Sequence, residues 1–150
     1  MNNFIDVQVI ADDGLLTAIK NVYGCRLQPD EIVGHCVSAD TGRIVIGKTI
    51  ALGMAPDMAE FDEQRRGKKR WGRALEHHGW LVETIDGVPT PHRDAPYRAD
   101  VDPLVIRAIQ NLPAPSGPLS TLVLLAADHA FATAVRDARR RGWRVEIASV

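Results

Sequence analysis

Ser120–Ile147 reads STLVLLAADHAFATAVRDARRRGWRVEI, and it sets the fold class. Thr121–Ala126 is an unbroken apolar run, the pattern of a strand buried on both faces. Asp128 ends the run. Ala130–Arg141 then has helical spacing, with Ala130, Phe131, Ala134, Val135 and Ala138 on one face. Gly142 follows as a C-cap, and Trp143–Ile147 returns as a strand. This is a β-α-β unit, whose crossover implies parallel strands. Asp128 falls at the carboxyl end of the first strand, where open parallel sheets place their sites.

Upstream, the same grammar recurs. Gly79-Trp80-Leu81-Val82-Glu83 echoes Gly142-Trp143-Arg144-Val145-Glu146, so two helices end in the same turn chemistry and Trp80–Ile85 is a further strand. Phe4–Ile10 reads as the first strand, with Asp6 inside it. A charge there is costly without a partner or a task, although a solvent-facing pleat position also accommodates it. Asp12-Asp13-Gly14 opens a helix through Val22, both acids acting as caps. Pro29-Asp30-Glu31 starts a second, short helix through Cys36. Gly42–Thr49, GRIVIGKT, has the letters of a phosphate-binding P-loop. Its Arg-Ile-Val-Ile interior is strand-forming, so the segment reads instead as a second strand, Arg43–Leu52. Nucleotide hydrolysis would require Lys48 at a strand-to-helix turn. A further helix ends at His78, with His77 and His78 near its C-terminal dipole. Asp86–Tyr97, with three prolines, is a loop. Asp102-Pro103 is an N-cap followed by Pro at the first helical position, opening a helix to about Asn111. Leu112–Pro118 is a Pro-rich connection. The expected architecture is one α/β domain over 1–150: a doubly wound, mainly parallel sheet of about five strands with helices on both faces.

The 150 residues bury roughly 70% of their unfolded surface in one domain. Formal net charge is −1, so nucleic-acid binding must come from a local patch. One candidate is Arg65-Arg66-Gly67-Lys68-Lys69-Arg70-Trp71-Gly72-Arg73, where cations surround a Trp suited to stacking a base; a solvated charge run at a helix start is the alternative. Arg136, Arg139, Arg140, Arg141 and Arg144 form a second basic cluster. Cys25 and Cys36 have no framework spacing and read as reduced thiols of a cytoplasmic protein. No apolar run is long enough for a membrane span, and Asn2, Asn3 and Asp6 argue against a signal peptide.

The terminal block resembles the last part of the NYN domain, a LabA-like branch of the PIN-like ribonucleases. That family reads LVLVSGDGDF, a helix, then G-x-x-V-E-V; here LVLLAADHAF, a helix, then GWRVEI. Phe4-Ile5-Asp6-Val7-Gln8-Val9 is similar to the family's F-I-D-x-x-N strand, and Arg98-Ala99-Asp100-Val101-Asp102 to its K-G-x-D segment. The resemblance spans nearly the whole chain.

It implies a PIN-like fold in which Asp6 and Asp128 lie at adjacent strand ends and Asp102, or Asp100, faces them. The three carboxylates would hold Mg²⁺ or Mn²⁺ and act as the catalytic site of a metal-dependent ribonuclease, a hydrolase of RNA phosphodiesters. Arg65, Arg66, Lys68, Lys69, Arg70, Arg73 and Arg98 would contact RNA. Several positions depart from the family pattern. Val9 replaces an Asn, Ala126 a small polar residue and Ala130 a second acid, while Arg98 and Ala99 replace Lys and Gly. His129 offers itself as a ligand or phosphate contact, and Asp128 as a helix cap. Two readings therefore stand: a metal-dependent ribonuclease, or a degenerate member of the fold that binds RNA or a protein partner, a second copy included, without cutting.

Overall fold

A computed structural model describes residues 4–24, 28–36, 42–90, 94–126 and 129–148, the side chains of 35, 36 and 129 excepted. Its core is a five-stranded sheet in the order β3-β2-β1-β6-β7, parallel throughout. The strands are β1 (Ile5–Asp12), β2 (Arg43–Met54), β3 (Leu81–Asp86), β6 (Thr121–Leu125) and β7 (Arg144–Ala148). Five helices connect them: α1 (Asp13–Tyr23), α2 (Pro29–Cys36), α3 (Asp62–His77), α4 (Asp102–Gln110) and α5 (Ala132–Arg140). The doubly wound α/β class expected from the sequence is the observed one.

Period-two alternation divides β1 between two cores. Val7, Val9 and Ala11 join Leu15, Leu16, Ile32, Trp71 and Leu75 on the face covered by α1, α2 and α3. Ile10 faces the other way, into Val105, Ile109, Phe131, Val135 and Trp143 beneath α4 and α5. Residues such as Ile50, Leu75, Val105 and Ile109 are fully buried, each contributing about 1.5–3 kcal/mol. All five positions of β6 are buried, as its apolar run requires.

The echoed GW turns have one geometry. Gly79 and Gly142 take φ of 86° and 105°. The amides of Trp80 and Trp143 donate back to the Leu75 and Ala138 carbonyls at 3.0 and 3.1 Å, the long bond of a Schellman closure. Both indoles are buried; Trp143 Nε1 donates to the Pro113 carbonyl at 3.1 Å, while Trp80 Nε1 has no acceptor among the described residues. Arg141 closes the end of α4 instead of facing solvent ligands: its guanidinium donates to the Ile109 and Leu112 carbonyls.

The P-loop letters lie within β2. Lys48 pairs in register with Val9, and its ammonium donates to the His78 carbonyl at 2.5 Å. No strand-to-helix turn exists there, so Lys48 cannot reach a phosphate in the P-loop manner, and the P-loop reading of Gly42–Thr49 falls. A β-bulge lies between the Val7–Val45 and Gln8–Gly47 pairs. The proline-rich stretch read as a loop contains a short antiparallel hairpin, β4 (Val88–Pro89) with β5 (Tyr97–Arg98). Gly87 makes its base possible: a Cβ there would lie 2.8 Å from both the Met54 carbonyl oxygen and the Tyr97 ring. The Tyr97 ring in turn meets Phe61 edge-on at 5.7 Å. Cys25 and the Cys36 side chain lie outside the described residues. No helix among the described residues is long and apolar enough to cross a membrane.

Candidate functional site

The register fixes where each acid can act. Val7 pairs with Thr121, so Asp6 stands beside Ser120 at the amino edge of the sheet. Ser120 Oγ donates to Asp6 Oδ1 at 2.6 Å, and Ser120 Oγ also accepts from the Gly117 amide at 3.1 Å. Burial pushes the Asp6 carboxyl up, but hydrogen bonds from Ser120, Ser116 and backbone amides outweigh it and hold the group below its ordinary value of 3.8. Asp6 is thus the partner that fastens β1 to the loop entering β6, which answers the cost of a charge in this strand.

This corrects the expected acidic cluster. Ala99 and Val101 pack on Gly53 near the carboxyl end of β2, so Asp102 opens α4 at the carboxyl edge. Asp6 to Asp12 spans the strand, about 20 Å at the usual rise. Asp6 and Asp102 therefore cannot share one metal ion. Asp128 lies outside the described residues, as does the side chain of His129. Asp102 is not the helix cap either: Val101 holds that position, and the Asp102 amide donates to Asp100 Oδ1 at 3.1 Å.

The carboxyl edge has acids that the sequence reading treated only as caps. The sheet order reverses between β1 and β6, and ligands of open α/β sheets bind outside the carboxyl ends at such a switch. There β1 ends in Asp12 and passes directly to Asp13. Asp12 is a cap, its Oδ1 accepting from the Gly14 amide at 2.7 Å. Asp13 is different. It is 4% exposed, with Oδ2 at 2.6 Å from Lys68 Nζ and Oδ1 accepting from Trp71 Nε1 at 2.8 Å. A buried carboxylate needs such charge-assisted partners. At the end of β3, Asp86 pairs with Arg65 Nη1 at 2.7 Å, and the same nitrogen donates to the Ala55 carbonyl. Helix α3 is therefore bolted to the carboxyl ends of β1 and β3 by Lys68 and Arg65.

The magnesium or manganese expected from the resemblance does not fit these donors. Both Asp13 oxygens are already engaged, one by a cation. Among the described residues no three His, Cys, Asp or Glu side chains converge to hold a metal ion. The α1 amino terminus, where phosphate binds in many α/β sites, is filled by the Asp12 carboxylate and repels anions.

Cations on the outside of α3 have the opposite character. Of the residues expected to touch RNA, Arg65 and Lys68 are turned inward, with side chains 17% and 21% exposed. Trp71 is buried and offers no stacking face. Arg66, Lys69, Arg70 and Arg73 are exposed, and helical spacing sets them along one stripe. Among the described residues none of these four makes an ion pair. Arg98 is exposed on β5, not on α3. The α5 arginines sit on the opposite face of the sheet, so the two basic clusters are separate surfaces. Compared with known proteins, the chain matches no family model, no curated protein and no solved structure.

Proposed function

We propose that this chain binds RNA through the phosphate backbone, along the outer face of α3. The observation that carries the reading is the stripe Arg66, Lys69, Arg70 and Arg73: four exposed cations on one helix face, with no ion pair among the described residues, on a chain of net charge −1. An unpaired cation gives up no partner when a phosphate arrives, and each phosphate neutralised releases counterions. Lys68 and Arg65 contribute differently, by fixing α3 against β1 and β3 so that the stripe is presented on a rigid helix. The test is binding of a labelled, unstructured RNA across a salt series. Three or four phosphates neutralised on a single strand give a slope of log affinity against log salt of about −2 to −3. A flat dependence would remove the reading.

Cutting is a separate question, because no three acids converge among the described residues and Lys68 and Trp71 already hold the Asp13 carboxylate. Incubating labelled RNA with Mn²⁺, with Mg²⁺ and with chelator tests it. Binding without cutting leaves the RNA-binding module, and metal-dependent cutting would overturn that reading.

A further inference from the structure

The groove between α3 and β3 has a composition that a run of phosphates alone does not need. It is an open cleft of ≈ 390 Å³. Lys69 and Arg73 stand on the helix side, and Val82, Thr84 and Asp86 follow one another along the same face of β3. Between them Gly72 has no side chain, and its backbone approaches the sheet closely: a Cβ would lie 3.4 Å from Leu52 Cδ2 and 3.8 Å from Val82 Cγ1. Glu76 stands at one end of the cleft. Cations, an aliphatic surface, a hydroxyl and two carboxylates are thus gathered in one place along the edge strand β3.

We propose that this groove is a subsite for one unpaired nucleotide of a single-stranded RNA, resting on the RNA-binding reading above. Its phosphate lies against Lys69 and Arg73, the two groove cations that no acid holds among the described residues. Its base packs on the edge strand β3, over the half-buried Val82 and the exposed Thr84, where buried Gly72 keeps the helix close to the sheet. Sugar hydroxyls and exocyclic amines are donors, and Thr84, Glu76 and Asp86 supply acceptors. The acids are the discriminating feature. Arg65 holds Asp86 at Oδ1, so Glu76 is the acid that repels a plain polyanion, whereas a nucleoside brings donors that both carboxylates can accept. A base already paired in a duplex cannot leave its stack to enter the cleft, so the subsite selects single strands. Because the packing surface is aliphatic, the base contact is weaker than stacking on an aromatic ring, and phosphate contacts supply most of the affinity.

The test uses the full chain and three probes: a labelled single-stranded RNA dodecamer, the same sequence as a duplex, and inorganic polyphosphate as competitor. The expected result is single-strand binding at least about tenfold tighter than duplex binding. Lys69→Glu with Arg73→Glu should lower single-strand affinity by about tenfold or more. Arg136→Glu with Arg139→Glu, an equal charge change on the opposite face, should alter it less than about threefold. Retention of the wild-type circular dichroism spectrum certifies the fold of both exposed double variants. Equal single-strand and duplex affinities, equal effects of the two double variants, or polyphosphate competing phosphate for phosphate would overturn the subsite while leaving RNA binding in place. Absence of binding to any probe would overturn both.

Discussion

Lys68 Nζ stands 2.6 Å from Asp13 Oδ2, joining the middle of α3 to the residue that follows β1. The bond closes the carboxyl edge on this face of the sheet and holds the stripe of cations in place. Removing one member of a buried pair leaves an uncompensated charge, at a cost of about 3–5 kcal/mol. Asp13→Ala should lose that much stability in urea unfolding. In an Asp13→Asn, Lys68→Met double variant the loss should be smaller than the sum of the single losses. Strict additivity would show that the pair is not coupled.

The three tryptophans separate hydrogen bonding from packing. Trp71 Nε1 donates to a carboxylate, whereas Trp80 Nε1 is buried with no acceptor among the described residues. Trp71→Phe should therefore be more destabilising than Trp80→Phe by about 1.5–3 kcal/mol, the worth of a hydrogen bond to a charged group. Thermal unfolding of the two variants side by side measures the difference, and equal losses would contradict the assigned partner.

Two glycines on close approaches should respond unequally. A Cβ at Gly47 would lie 2.0 Å from Gln8 Oε1, the free end of a flexible side chain that can swing away. At Gly87 the obstacles are the Met54 and Arg98 carbonyl oxygens and the Tyr97 ring. Gly87→Ala should cost about 1–3 kcal/mol and loosen the β4–β5 hairpin. Gly47→Ala should cost under about 1 kcal/mol, and less again in a Gln8→Ala background. Chemical denaturation of the three variants checks the order.

Acid should weaken the fold through two groups at its surface. Hydrogen bonding from Arg43 holds Glu146 below its ordinary 4.5. Asp6 is held below 3.8, where burial is outweighed by the hydroxyls of Ser120 and Ser116. A carboxyl depressed in the folded state contributes fully above its unfolded value and loses that contribution as pH falls through its folded value. Urea midpoints should therefore decline from about pH 4.5 downward. Asp6→Asn, which keeps an oxygen to accept from Ser120, should flatten part of that decline. An unchanged pH profile in Asp6→Asn would contradict its role.

Much of the fold was legible because its signals are local. The apolar run of β6, the paired Gly-Trp turns and Pro103 each need only neighbouring residues to be understood. What failed was long-range. Asp6 and Asp12 sit on one strand with the same parity, and only the pairing of β1 with β6 reveals which end each occupies. Family resemblance points to Asp6 as a site acid, but it is Asp12 and Asp13 that stand at the carboxyl end of the strand. Trp71 among cations suggested a stacking face. Helical position places it with Leu75 toward the core and sets Arg66, Lys69, Arg70 and Arg73 outward, a distinction that a helical projection of α3 would have shown. Asp13 reads as a cap because a first-turn acid is an ordinary one, and its partners in the fold lie 55 and 58 residues away.

The most direct measurement is an amide chemical-shift map of the labelled protein titrated with a short single-stranded RNA. Perturbations should gather on Arg66–Arg73 and on Val82–Asp86, and should fade as salt rises. Shifts confined to α5 and β7, or an unchanged spectrum at saturating RNA, would contradict binding along α3.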